Sequence, residues 1–269
     1  SGVEIFVVTI NNIFSFDTFA GGTYDGTQWD AGNTWIENNG THIYDLPDGS
    51  VSTEWTDMSS NVLLMHLDDA SLIHGGTITD SSSNGIVGTL RTDDGATNKA
   101  TTGKINGAMT FDGTNDYIDL GTPIALDFTT SMTVEAWAMA TAEPITYQTI
   151  GSNYGGGSDR TWTFLRDSTT DSLALCIYID GSTGQCGAAA DNTFKLNQWY
   201  HMVATYDGTT MRVYINGEEQ VSGDFPRAQT GTLFDSTGST FIGSVGVADE
   251  FTGKIDEFAL YNTALSATT

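Results

Sequence analysis

Four aspartates, Asp68, Asp112, Asp116 and Asp256, fall at the ends of β-rich runs, and Asn115 stands beside one of them. Calcium takes carboxylate and amide oxygens, about six to eight of them at roughly 2.3–2.6 Å. These five residues are therefore the candidate ligands of a structural calcium. A local account competes with this one: Asp in a turn accepts hydrogen bonds from nearby backbone N–H groups. Tyr154, Asp159, Arg160 and Trp162 gather around the glycine-rich stretch Gly155-Gly156-Gly157. Aromatic rings with polar neighbours suit sugar binding, and loops on a rigid scaffold carry ligand sites. Residues 152–160 are thus the candidate ligand rim, with the alternative that Trp162 is a core residue.

Catalytic patterns are weak. Glycoside hydrolysis uses two carboxylates that flank the scissile bond. Glu135 is alone on its run, and Glu218 and Glu219 are adjacent, so they point to opposite faces of a strand. His42, His66, His74 and His201 show no metal-ligand spacing. His66 and His201 lie in apolar runs where packing accounts for them. The glycine run lacks the Lys and the helix start of a phosphate loop. No catalytic residue is expected.

The two cysteines, Cys176 and Cys186, flank Asp180-Gly181-Ser182-Thr183-Gly184. Folding a hairpin about Gly181 sets one opposite the other, which predicts a cross-strand disulfide. A metal pair is the weaker reading, because no further ligand is near. A disulfide implies an oxidising, extracytoplasmic location.

The elements that must hold these residues are strands. Short β-branched and aromatic runs alternate with Gly, Asn, Asp, Ser and Thr clusters. Val62–Leu67, Met132–Met139, Tyr200–Tyr206, Met211–Ile215, Phe241–Gly243 and Ile255–Tyr261 read as strands. Both faces of Met132–Met139 carry large apolar residues, as expected of a strand packed on both sides. Asp207-Gly208 and Asn216-Gly217 read as hairpin turns. The architecture expected is all-β, a two-sheet antiparallel sandwich.

The chain of 269 residues divides into a β-rich segment, 1–57, and a domain, 58–269. Val3–Ile10 is an apolar strand candidate with Glu4 as its only charge, and Asn39-Gly40-Thr41 is a glycosylation sequon. Trp29, Trp35 and Trp55 need partners to bury. No run of about 20 apolar residues exists to span a membrane as a helix. Val3–Ile13 lacks the basic start of a signal peptide, so the chain reads as processed or as an ordered fragment. Thirty-four acidic residues oppose nine basic ones, for a net charge of −25. Such a polyanion repels phosphate backbones and anionic membrane surfaces, which excludes nucleic acid as an expected partner.

Ordered motifs then carry a family resemblance over about Asn61 to Ser266. They are Leu67-Asp68-Asp69, Asp80-Ser81-Ser82-Ser83-Asn84-Gly85, Gly103 to Gly113 ending in Phe111-Asp112-Gly113, Ser131 to Trp137, Trp199-Tyr200-His201-Met202-Val203-Ala204, Tyr214-Ile215-Asn216-Gly217 and Ile255-Asp256-Glu257. Together they resemble the laminin-G-like branch of the concanavalin-A-like jelly rolls. The resemblance implies a jelly-roll sandwich, and a rim calcium joining an early strand to the last one, positions that Asp68 and Asp256 occupy. It also implies a non-catalytic extracellular recognition or adhesion module for glycans or protein surfaces. The competing expectation is a self-assembling subunit of a surface layer or filament, in which Val3–Ile10 pairs with the open sheet edge of an identical subunit.

Overall fold

The computed structural model describes residues 35–38, 41–45, 51–52, 60–92, 97–143, 147–167, 170–246 and 248–266. The Val3–Ile10 strand candidate, Trp29, Trp55 and most of the sequon lie outside these residues. Near the N-terminus β1 (Trp35–Asn38), β2 (Thr41–Asp45) and β3 (Val51–Ser52) form a three-stranded antiparallel sheet.

The domain that follows is a sandwich of two antiparallel sheets. Its strands are β4 (Asn61–Met65), β5 (Thr77–Thr79), β6 (Val87–Arg91), β7 (Ala100–Thr102), β8 (Gly107–Asp112), β9 (Tyr117–Asp119) and β10 (Met132–Ala140). Then come β11 (Tyr147–Gly156), β12 (Asp159–Asp167), β13 (Ser172–Tyr178), β14 (Gly184–Ala188), β15 (Tyr200–Tyr206) and β16 (Thr210–Ile215). The last are β17 (Glu218–Glu219), β18 (Arg227–Ala228), β19 (Ser239–Ile242) and β20 (Thr252–Tyr261). One sheet runs β17-β16-β15-β10-β20-β8-β7, with β18 beside β16 and β4 beside β20. The other runs β14-β13-β12-β11-β19-β9-β6-β5. The order jumps between distant parts of the chain in both sheets, as a jelly roll requires. No helix among the described residues is long and apolar enough to cross a membrane.

Alternation explains the layers. Along β10, Met132, Val134, Ala136, Ala138 and Ala140 point into the core. Thr133, Glu135 and Trp137 point outward yet are also buried, so this central strand is covered on both faces as expected. Trp162, Phe164, Phe111, Phe251 and Phe258 fill the space between the sheets. The last strand closes the domain: one edge of β20 pairs with β10, and the other pairs with β8 and then β4.

The turns follow their chemistry. Asn216 and Gly217 both have positive φ, +53° and +81°, the requirement of a two-residue hairpin turn joining right-twisted strands. Asp207 Oδ1 accepts the Thr209 and Thr210 N–H groups at 2.8 Å. Cys176 and Cys186 are register partners across β13 and β14 and form the expected disulfide, S–S 2.02 Å.

Candidate functional site

The outward face of the eight-stranded sheet carries the largest share of the predicted ligand residues. Residues 152–160 differ from the expected loop. They belong to two strands, β11 and β12, that continue to Gly156 and restart at Asp159, leaving a tight turn. A Cβ at Gly155 would overlap the Asp159 carboxylate, so glycine here permits close approach rather than flexibility. Tyr154 and Arg160 are register partners. The Arg160 guanidinium lies 4.8 Å from the Tyr154 ring centre and 5.6 Å from that of Tyr178 on β13. Cation–π attraction from two rings fixes the guanidinium plane.

Asp159 serves as a brace. Its carboxylate accepts the Thr237 N–H at 2.9 Å and the Thr237 hydroxyl at 2.8 Å, pinning the hairpin to the segment before β19. Burial works against the charged form, but hydrogen bonds from Thr237 and Ser236 hold this carboxyl below its ordinary value. Trp162 is not on the rim: it is fully buried between the sheets, where its size fills the core. Of the four predicted ligand residues, the structure brings Tyr154 and Arg160 together, uses Asp159 to hold them, and withdraws Trp162.

Sequence reasoning missed the rest of this face. Ile118, Ile242 and Ile177 point into the core, so their neighbours Tyr117, Phe241 and Tyr178 face outward. Tyr117 and Phe241 meet edge to face, ring centres 5.7 Å apart. Phe241 is the register partner of Ser152, two residues from Tyr154. Arg91 pairs with Tyr117 from β6. The alternation of β19 and β9 was a usable signal, but each strand is too short for the pattern to stand out.

The rim aspartates are held by the chain's own groups. Asp116 is fully buried, and its carboxylate meets Lys99 Nζ at 2.8 Å; Asp112 stands 3.3 Å from the same ammonium. Asp116 Oδ2 also accepts the Asp112 N–H at 3.0 Å, and Asp112 Oδ1 accepts the Thr114 N–H at 2.9 Å. Asn115 is exposed in this turn. Asp256 Oδ2 accepts the Lys104 and Ile105 N–H groups, each at 2.8 Å. Burial, followed in size by these opposing hydrogen bonds and the nearby Glu257 charge, pushes the Asp256 carboxyl up to about 8. Asp68 is exposed, with its backbone against Gly107. Among the described residues no group of three or more His, Cys, Asp or Glu side chains stands close enough to share a metal ion. At Asp112 and Asp116 the donor set does not fit calcium, because Lys99 already supplies the cation there, whereas Asp256 has Oδ2 on backbone N–H groups and Oδ1 buried without a hydrogen-bond partner.

The opposite sheet holds a second polar cluster. Glu135 Oε1 lies 2.7 Å from His201 Nε2, and the Tyr261 hydroxyl donates to Glu135 Oε2 at 3.2 Å. His66 Nδ1 lies 2.8 Å from Glu257 Oε2. The expectation that Glu135 stands alone misses this pair, since β10 and β15 align Glu135 with Val203 and place His201 diagonally opposite. Glu135 and His201 are each more than nine-tenths buried, so the pair ties three neighbouring strands together.

Comparison with known proteins places this geometry. Domain 4 of an extracellular arabinanase from Geobacillus stearothermophilus, solved with arabinotriose, shares 20% identity and superposes with a TM-score of 0.51, over 78% of this chain and 95% of that one. The receptor-binding domain of botulinum neurotoxin mosaic serotype C/D superposes with a TM-score of 0.57 at 15% identity, over 77% of this chain and 48% of that one. The Trypanosoma rangeli sialidase superposes with a TM-score of 0.52 at 14% identity, over 77% of this chain and 31% of that one. These likenesses establish a shared fold. Residues 112–269 match the laminin-G-like family model, and with strands β4 to β8 completing the same two sheets, the chain belongs to the concanavalin A-like lectin/glucanases superfamily.

Proposed function

We propose that this chain is a non-catalytic, extracellular recognition module that binds glycan on the outward face of its eight-stranded sheet. The observation that carries the reading is the Arg160 guanidinium held between Tyr154 and Tyr178, on the same sheet as Phe241 two strands away and Tyr117 three strands away. A fixed donor fork beside aromatic rings is what sugar hydroxyls and ring faces require. Two proteins of this fold support it: the arabinanase domain was solved with arabinotriose, and cell entry of botulinum neurotoxin type C depends on two ganglioside molecules. The disulfide suits an oxidising compartment.

The non-catalytic part of the reading rests on the carboxylates. Glu135 and Glu257 are engaged with histidines, Asp256 with backbone N–H groups, and Asp159 with Thr237. None of these is presented as an acid–base pair beside the aromatic face. Calorimetric titration with linear arabino-, xylo- and galacturono-oligosaccharides tests the proposal. Saturable binding that weakens in Arg160→Ala and Tyr154→Ala, with no new reducing ends formed, is expected. Binding to none of the series, or binding indifferent to both substitutions, refutes it.

A further inference from the structure

Cations are scarce in this molecule, and four of its nine Lys and Arg side chains sit against carboxylates among the described residues. Lys99 meets Asp112 and Asp116, Arg166 meets Glu143 and Asp171, Arg212 meets Asp207 and Glu219, and Arg227 approaches Asp224. Arg160 and Arg91 form no ion pair with a carboxylate among the described residues, and both belong to the outward face of the eight-stranded sheet. Arg160 Nε is buried without a hydrogen-bond partner. In a chain of net charge −25, a guanidinium fixed by two tyrosine rings and held apart from the abundant carboxylates is an unspent anion site.

The register sets the two arginines at the ends of a diagonal. It runs from Arg160 on β12 to Tyr154 on β11, Phe241 on β19, Tyr117 on β9 and Arg91 on β6. Four strand spacings with an axial offset of a few residues make this diagonal on the order of 20–25 Å long. A single terminal sugar would meet only one end of it. Guanidinium forks match the two oxygens of a carboxylate, and the rings between them offer flat apolar contact.

We infer that this diagonal binds a linear glycan bearing carboxylate groups, with Arg160 and Arg91 each taking a uronate and Phe241 and Tyr117 contacting the sugars between. The inference rests on the glycan reading above and narrows it to acidic, extended chains. Asp119, the register partner of Phe241 on the same face, and the negative charge beyond the strip both repel such a chain, so binding is confined to the segment that the two arginines hold.

The test is calorimetry with di- and tetragalacturonate, the methyl-esterified tetramer as neutral control, and neutral xylotetraose. The acidic tetramer is expected to bind about a hundredfold more tightly than its ester, as two charge-assisted contacts of about tenfold each imply. Arg91→Ala, at an exposed position, should weaken the tetramer about tenfold and leave the dimer unchanged, while Arg160→Ala weakens both. Equal binding of acid and ester, an Arg91→Ala protein that binds the tetramer normally, or binding of xylotetraose alone overturns the inference and leaves the glycan reading standing. Binding of no sugar at all overturns both.

Discussion

Asp256 shows how a residue's setting decides its chemistry. Its carboxyl is fully buried and titrates near 8, against an ordinary 3.8. The folded state therefore holds a proton that the unfolded state has lost between those values, and stability falls as pH rises through that window. This contribution is complete below about 4 and gone above about 8, with a slope approaching ~1.4 kcal/mol per pH unit between. Asp256→Asn keeps an oxygen for the Lys104 and Ile105 N–H groups and removes the proton. Its denaturation midpoint should vary less with pH than that of the parent between 4 and 8; an unchanged pH profile would show that Asp256 is not the group responsible. The same setting governs calcium. With Lys99 already supplying the cation at Asp112 and Asp116, adding chelator should leave the melting temperature unmoved. A fall that calcium restores would instead establish the rim ion expected from the sequence, by mass action. Residue types alone could nominate these aspartates but not their partners. Lys99 lies seventeen positions from Asp116 and Lys104 far from Asp256, and only the closed sheets bring them together. Glu135 and His201 were hidden for the same reason, since each sits in its own strand and the pairing belongs to the register.

At the scale of elements, legibility tracked strand length and turn chemistry. Tyr200–Tyr206 and Met211–Ile215 stand out because long alternating runs flank Asp207-Gly208 and Asn216-Gly217, and the structure places β15 and β16 there. β5, β7, β17 and β18 are two or three residues long, too short for period-two alternation to register. The β11–β12 hairpin was misread as loop because three consecutive glycines suggest flexibility, whereas close packing against Asp159 requires the first of them. The disulfide was legible because hairpin arithmetic about Gly181 needs no tertiary information. It also has an element-level consequence: β14 is the terminal strand of the eight-stranded sheet, paired on one side only. Closing so short a loop contributes about 2–3 kcal/mol by chain entropy. Reduction should lower the unfolding midpoint, and amide exchange should accelerate in residues 184–188 before the strands interior to β13. Uniform acceleration across the sheet would mean that β14 is not a separable edge.

At the scale of the molecule, charge separates the two parts of the chain. Residues 1–59 hold nine of the acidic residues and none of the nine basic ones, so every cation lies in the sandwich domain. That domain remains strongly acidic as well, and two like-charged bodies repel across about 10 Å at 0.1 M salt. The domain closes on itself: β20 pairs with β10, β8 and β4, and Asn262 N–H donates to the Ser60 carbonyl at 2.9 Å, joining its two ends. A chain cut to residues 60–269 should therefore fold cooperatively, form its disulfide and keep its affinity for oligosaccharide. At low ionic strength it should melt no lower than the full chain, because the truncation removes charge of the repelling sign, and the difference should shrink as salt is added. Size exclusion of both proteins decides between the two roles expected from the sequence. If the full chain is monomeric and the truncated one binds sugar equally, residues 3–10 are not needed for recognition. If the full chain assembles and the truncated one does not, the N-terminal strand pairs subunits by strand addition, and the sandwich is the sugar-binding part of a surface assembly. A fragment 60–269 that fails to fold would show that the acidic N-terminal residues supply contacts strong enough to outweigh the repulsion.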